Sequence, residues 1–79
     1  MNVLLFGITR DITGQSRLTV PADAGVTTVA GLKQWLGMHY PAFKQLQSLA
    51  IAVDNDYASD EDTIGPEQEI ALIPPVSGG

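Results

Sequence analysis

The sequence contains no cysteine. That excludes a disulfide scaffold, a thiolate zinc site, an iron–sulfur cluster and a catalytic thiol. It also suits a reducing compartment. Histidine occurs once, at His39, and no serine stands in a Gly-x-Ser-x-Gly elbow, so a Ser–His–Asp hydrolase has no parts to draw on. His39 reads as a surface residue at a helix end. Basic residues are scarce. Arg10, Arg17, Lys33 and Lys44 are the only four against nine acids, giving a formal net charge of -5. A nucleic-acid binder needs a basic patch to replace released counterions, so none is expected as a partner. No apolar run approaches the ~20 residues that span a bilayer, and Met1 to Phe6 show neither a basic leader nor a cleavage pattern. A cytoplasmic protein that keeps off membranes is expected.

What is present fits one small domain. A chain of 79 residues buries only about 60% of its unfolded surface, so the core must be economical. All four basic residues fall in the first 44 positions, and seven of the nine acids fall between Asp54 and Glu69. This acidic end suits a partner with a basic docking surface. It equally suits a solvated face that keeps the domain soluble. The run from Asp54 to Glu61 lacks the oxygen ligand and glycine that a calcium loop would place at Ala58 and Ser59, and no metal site is expected. Gly25 and Gly31 stand alone, so no phosphate-binding loop precedes the helix.

Periodicity supplies the elements. Residues 2–8 read as a strand, with Val3 and Leu5 on one face and Asn2, Leu4 and Phe6 on the other. Asn2 marks the second face as the wetter one, which makes Phe6 an outward aromatic. Residues 10–15 are polar and contain Gly14, so they read as a connection. Arg17 to Val20 alternate, stop at Pro21, and are expected to pair with the first strand as a hairpin. Thr27 or Thr28 caps a helix on which Val29, Leu32, Trp35 and Leu36 share a face, Trp35 in or at the rim of the core, while Lys33 and Gln34 meet water. That helix is expected to end before Pro41. Residues 49–53 form a strand with Leu49, Ile51 and Val53 inward. Residues 69–73 form the last, with Ile70 and Leu72 inward and Glu69, Ala71 and Ile73 outward. Between them, 54–68 read as an acidic, turn-rich stretch. The order predicts an α+β fold: a sheet with one main helix packed across one face.

The last six residues carry the chemistry. Pro74 and Pro75 fix φ and favour an extended launch from the last strand. Val76 and Ser77 come next. Gly78 and Gly79 have no side chains, so they can thread a narrow tunnel and let another backbone approach closely. Chance places Gly-Gly at the end of about 0.5% of chains. The pair alone is therefore a moderate signal against a frayed terminus; its setting after Pro-Pro and a strand is the stronger one. A carboxylate is a poor electrophile. Joined to AMP it becomes attackable by sulfur, and a thiocarboxylate would let a cysteine-free chain carry sulfur on a tether that raises its local concentration in a partner's site.

With Val3 to Phe6, Arg10 to Gly14, Ala52–Val53 and above all Glu69 to Gly79 in view, the chain resembles the small subunit of molybdopterin synthase, a ubiquitin-like β-grasp protein, over nearly its whole length. The resemblance implies a mixed sheet of four to five strands, a β-grasp domain over 1–75 and a flexible Gly-Gly tail over 76–79. It implies that Gly79 is adenylated by a ubiquitin-activating-like enzyme using ATP, and converted to a thiocarboxylate by a sulfur donor protein. No cofactor is held permanently. Pro74, Pro75, Val76, Ser77 and Gly78 would thread into a large catalytic subunit within a heterotetramer, where two carriers turn cyclic pyranopterin monophosphate into the dithiolene of molybdopterin. Phe6, Tyr57 and Ile73 match apolar positions that contact partners in the family. The same tail chemistry would serve a carrier for thiamin thiazole or cysteine synthesis, and a ubiquitin-like modifier or an inert binding module are alternatives of another class. Two departures from the family pattern stand out. Asp54 follows Val53 where Asn is usual, and Glu67-Gln68-Glu69 replaces a Gly-Asp-Glu turn. Local turn geometry, and with it partner selectivity, is where they would act.

Overall fold

The computed structural model describes residues 1–46 and 49–74. In chain order the elements are β1 (Asn2–Leu5), α1 (Ile8–Thr13), β2 (Arg17–Thr19), a 3-10 turn (Ala22–Ala24), α2 (Val29–His39), a second 3-10 turn (Pro41–Gln45), β3 (Ala50–Val53), β4 (Asp56–Ala58) and β5 (Ile70–Ile73). The five strands make one sheet in the order β2-β1-β5-β3-β4. β1 runs antiparallel to β2 and parallel to β5, and β3 runs antiparallel to both β5 and β4. The mixed sheet and single main helix are those expected.

One face of the sheet is the core. Val3, Leu5, Leu18, Ile51, Ile70 and Leu72 point inward from their strands and meet Val29, Leu32 and Leu36 of α2, with Val20, Phe43 and Ile64 closing the sides. Trp35 packs half-buried at the rim, as do Leu49 and Val53. Each fully buried Leu or Ile contributes about 1.5–3 kcal/mol. Thr28, not Thr27, caps α2: its Oγ1 accepts the Gly31 N–H at 3.0 Å. The helix stops at His39, before Pro41. Its awkward Gly37 has a packing reason, since the alkyl stem of Lys44 lies 3.2 Å from where a Cβ would stand. No helix among the described residues is long and apolar enough to cross a membrane.

Three expectations need correction. The first strand ends at Leu5, not Ile8, because Gly7 turns the chain with φ +55°. The polar residues after it form α1, so β1 and β2 are joined by a helix and not by a tight hairpin turn. Thr9 is fully buried and staples the start of that helix, while Gly14, at φ +73°, ends it by donating its N–H to the Arg10 carbonyl at 2.8 Å. The acidic stretch is also more ordered than its composition implies. Asp54 and Asn55 both take positive φ (50° and 73°), the pattern of a type I′ hairpin, and β4 folds back on β3 with Val53 paired to Asp56.

Further along, the carbonyls of Asp60 and Asp62 accept the Ala30 and Val29 N–H groups, each at 3.0 Å, satisfying the free end of α2. Lys33, expected simply to face water, reaches Asp60 at 2.7 Å. The acids are thus partly structural.

The two departures from the family pattern meet in space. The Asp54 carboxylate accepts the Glu69 N–H at 2.9 Å and the Gln68 Nε2 at 3.3 Å, and the Asp54 N–H donates to the Glu69 carbonyl at 2.8 Å. The β3–β4 turn is thereby tied to the entry of β5. Asp54→Ala is expected to lower stability by about 1–2 kcal/mol, from the lost bonds and from alanine at positive φ. Asp54→Asn, which keeps an acceptor and tolerates that φ, should lose less than half as much. Urea denaturation of the two variants checks this; equal losses would contradict it.

Candidate functional site

α2 covers one face of the sheet and leaves the other bare. On that bare face the strand registers align a row across all five strands: Arg17 opposite Leu4, Leu4 beside Ala71, Ala71 opposite Ala52, and Ala52 opposite Tyr57. The two alanines in the middle are too small to fill the row. Leu4 and Tyr57 therefore stand as walls around a shallow depression of about 320 Å³, which Phe6, Asn55, Glu69 and Ile73 complete.

The sequence-derived contact residues come together here. Phe6 and Ile73 point to the bare face, as strand parity predicts, and Tyr57 joins them from β4. Phe6 is 49% exposed and Tyr57 76% exposed. Large apolar side chains grouped on an open face are the kind of patch that interaction surfaces present. Its rim is polar: Asn55 and Glu69 border it, and a smaller adjoining hollow is lined by Arg17, Glu67 and Gln68. Sequence reading missed Ala52 and Ala71 as site residues. Their signal was small side chains at outward positions of strands otherwise built of large ones.

The parallel pairing of β1 with β5 fixes where the tail begins. Leu5 lies beside Leu72, so Phe6 flanks Ile73 and the chain leaves β5 at the edge of the apolar face. Pro74 is the last described residue. Pro75, Val76, Ser77, Gly78 and Gly79, to which the threading and acyl-transfer roles were assigned, lie outside the described residues. His39 stacks on Trp35 at a centroid distance of 4.1 Å, on the helix side of the domain. Among the described residues, the bare face sets one carboxylate, Glu69, at the rim of the depression and no histidine or serine beside it. It can dock a partner and present to it the tail that starts at Pro74.

The sequence profile of the ThiS family matches residues 3–79. The chain belongs to the ThiS family. Among curated relatives, the molybdopterin synthase sulfur carrier subunit of Arabidopsis thaliana is 34% identical over 80 residues, covering 100% of this chain and 82% of the relative. The protein of that name from Caenorhabditis briggsae is 35% identical over 82 residues, covering 100% of this chain and 96% of the relative. These bear out the resemblance read from the tail and strand motifs. The solution structure of small archaeal modifier protein 1 from Methanosarcina acetivorans superposes with a TM-score of 0.80 at 24% identity, covering 99% of this chain and 94% of that one. This ThiS-family chain accordingly has the ubiquitin-like β-grasp fold.

Proposed function

We propose that this chain is the sulfur carrier subunit of a molybdopterin synthase, acting in the cytoplasm. The observation that carries the proposal is similarity along the full chain to relatives bearing that name. The Gly-Gly end and the absence of cysteine support it, because they leave the Gly79 carboxylate as the position for sulfur. An adenylating enzyme joins that carboxylate to the α-phosphorus of ATP, and pyrophosphate leaves. Sulfur at the sulfide level, delivered by a donor protein, attacks the acyl carbon; AMP departs with the C–O bond electrons and a thiocarboxylate remains. In the large subunit, the thiocarboxylate sulfur attacks an oxygen-bearing side-chain carbon of cyclic pyranopterin monophosphate; the C–S bond forms as that carbon's C–O bond breaks, and the oxygen leaves with the electron pair and is protonated. Water then cleaves the acyl–sulfur bond, which returns the carboxylate and leaves sulfur on the pterin. A second loaded carrier supplies the second sulfur. The catalytic side chains belong to the partners, and this subunit is the sulfur-donating half of the sulfurtransferase.

Intact-mass spectrometry tests the first half. Incubated with an activating enzyme, ATP and a sulfide source, the chain should exchange one oxygen for sulfur at its terminus. Loaded carrier, large subunit and cyclic precursor should then yield molybdopterin. Exchange without molybdopterin would redirect the reading to thiamin thiazole or cysteine synthesis. Attachment to lysine would make the chain a modifier, and no exchange with any activating enzyme would sink the carrier reading.

Phe6→Asp should weaken binding to the large subunit by at least about 30-fold, the size of a ~2 kcal/mol hot spot. The fold should remain, because Phe6 stands outside the core. Calorimetric titration beside a thermal melt reads both, and loss of the cooperative melt would show Phe6 to be a core residue instead.

A further inference from the structure

The register of β1 against β5 has a steric consequence two residues past the strands. Leu5 lies beside Leu72, which brings Gly7 to Pro74. A Cβ at position 7 would stand 3.1 Å from Cγ of the Pro74 ring, tighter than ordinary contact. Gly7 also holds φ +55° and ψ -130°, a conformation that costs an L-residue strain. Glycine is thus favoured twice at one position, once by its own backbone and once by the ring that a Cβ would crowd.

The surface under that ring is fixed. The buried Thr9 hydroxyl accepts the Phe6 N–H at 2.9 Å and donates to the Phe6 carbonyl at 2.5 Å. The Thr9 N–H adds a bond to the same carbonyl at 3.1 Å, and the Gly7 carbonyl accepts from Arg10 at 3.1 Å and Asp11 at 3.2 Å. One hydroxyl therefore holds both backbone groups of the residue that presents the Phe6 ring to the docking face.

We infer that Gly7, held in place by Thr9, is a positioning residue for the tail: it seats Pro74 and so sets the direction in which the reactive arm leaves the docking face. This rests on the proposed function only for what the arm delivers. Five residues beyond Pro74 reach at most ~18 Å, so a tilt at the base is magnified at the terminal carboxylate. A displacement of about 1 Å at a reacting group can cost ~100-fold in rate.

A double-mutant cycle separates this role from plain turn strain. The chain has no cysteine, so Ser77→Cys in the full-length protein gives a single site for a nitroxide label. Paramagnetic broadening of backbone amides then maps where the arm runs, with no enzyme present. Gly7→Ala is expected to change the broadening at Phe6, Ile8 and Ile73 by more than about twofold. In the Pro74→Gly background the same change should have no further effect, since contacting sites couple and strain alone would persist unaltered. Should Gly7→Ala fail to fold, Thr9→Val is expected to shift the map and Thr9→Ser, which keeps the hydroxyl, to preserve it. An unchanged map in a folded Gly7→Ala protein, or equal effects in both backgrounds, overturns the inference. So does a map that Thr9→Val leaves unmoved.

The enzymatic arm uses the unlabelled variants. Gly7→Ala should lower kcat for adenylation by about 10-fold while KM changes less than about 3-fold, because docking is kept and only transition-state placement is lost. Matched losses in KM with kcat intact would contradict a positioning role. If the wild-type chain accepts no AMP from any activating enzyme, the proposed function fails, and the label map still decides the inference.

Discussion

A chain shortened by Gly79 is expected to donate no measurable sulfur while melting at the wild-type temperature. The deletion moves the carboxylate back along the arm by one residue, about 3.3–3.6 Å. Acyl transfer needs its atoms placed to well within that distance, so at least ~100-fold should be lost in adenylation alone. A second loss arises when sulfur is offered to the pterin. Stability is untouched, because every buried apolar side chain among the described residues lies between Val3 and Leu72. Product formed per carrier, measured beside a thermal melt, reads both halves. A fall in Tm beyond the ~4 °C that 1 kcal/mol would cause in a domain of this size would show that the terminus also braces the body. Retained donation would remove Gly79 from the chemistry.

Leu72→Ala is expected to do the reverse: leave the tail chemically intact and weaken the body beneath it. Leu72 is fully buried, in register with Leu5 on one side and Ile51 on the other. Truncating a core leucine costs about 2–5 kcal/mol, through lost transfer energy and the cavity left behind. A domain of this length has only ~4–12 kcal/mol in all, so Tm should fall by at least ~10 °C. Ile73→Ala, one residue on and facing out, should cost under about 1.5 kcal/mol and register as weaker partner binding. Urea denaturation of the pair tests the face assignment; similar losses at 72 and 73 would mean that the strand does not divide core from docking face.

Much of this division was legible because β-strands alternate. Parity along residues 2–6 and 69–73 placed Val3, Leu5, Ile70 and Leu72 inside and Phe6 and Ile73 outside. The helix was legible from Thr28 and the spacing of Val29, Leu32 and Leu36. α1 was not, because six polar-leaning residues carry little periodicity and the determinant is a single buried hydroxyl. Gly14, two residues after Ile12, was the cue for a left-handed helix cap. β4 was hidden by its acids. Its signal lay in Asp54–Asn55, two residues that tolerate positive φ between short alternating segments. Which strands neighbour which came from no local rule. The row Leu4, Ala71, Ala52, Tyr57 joins four strands distant in sequence, so the depression could be assembled only once the sheet was known. Tyr57 and Ile73 entered as contact residues through the resemblance, and parity independently supported Ile73.

The placement of β5 between β1 and β3 has a bearing on how the protein is made. β1 and its central partner β5 lie far apart in the sequence, with β2, α2, β3 and β4 between them. Pairing such distant segments carries a loop-closure cost that slows folding. A nascent or prematurely terminated chain lacking residues 70–73 cannot close its core, and it cannot assemble the Leu4–Ala71–Ala52–Tyr57 row. A partner that recognises the row therefore engages only chains synthesised at least as far as the strand that bears the arm. The docking row and the strand that bears the arm thus form together or not at all.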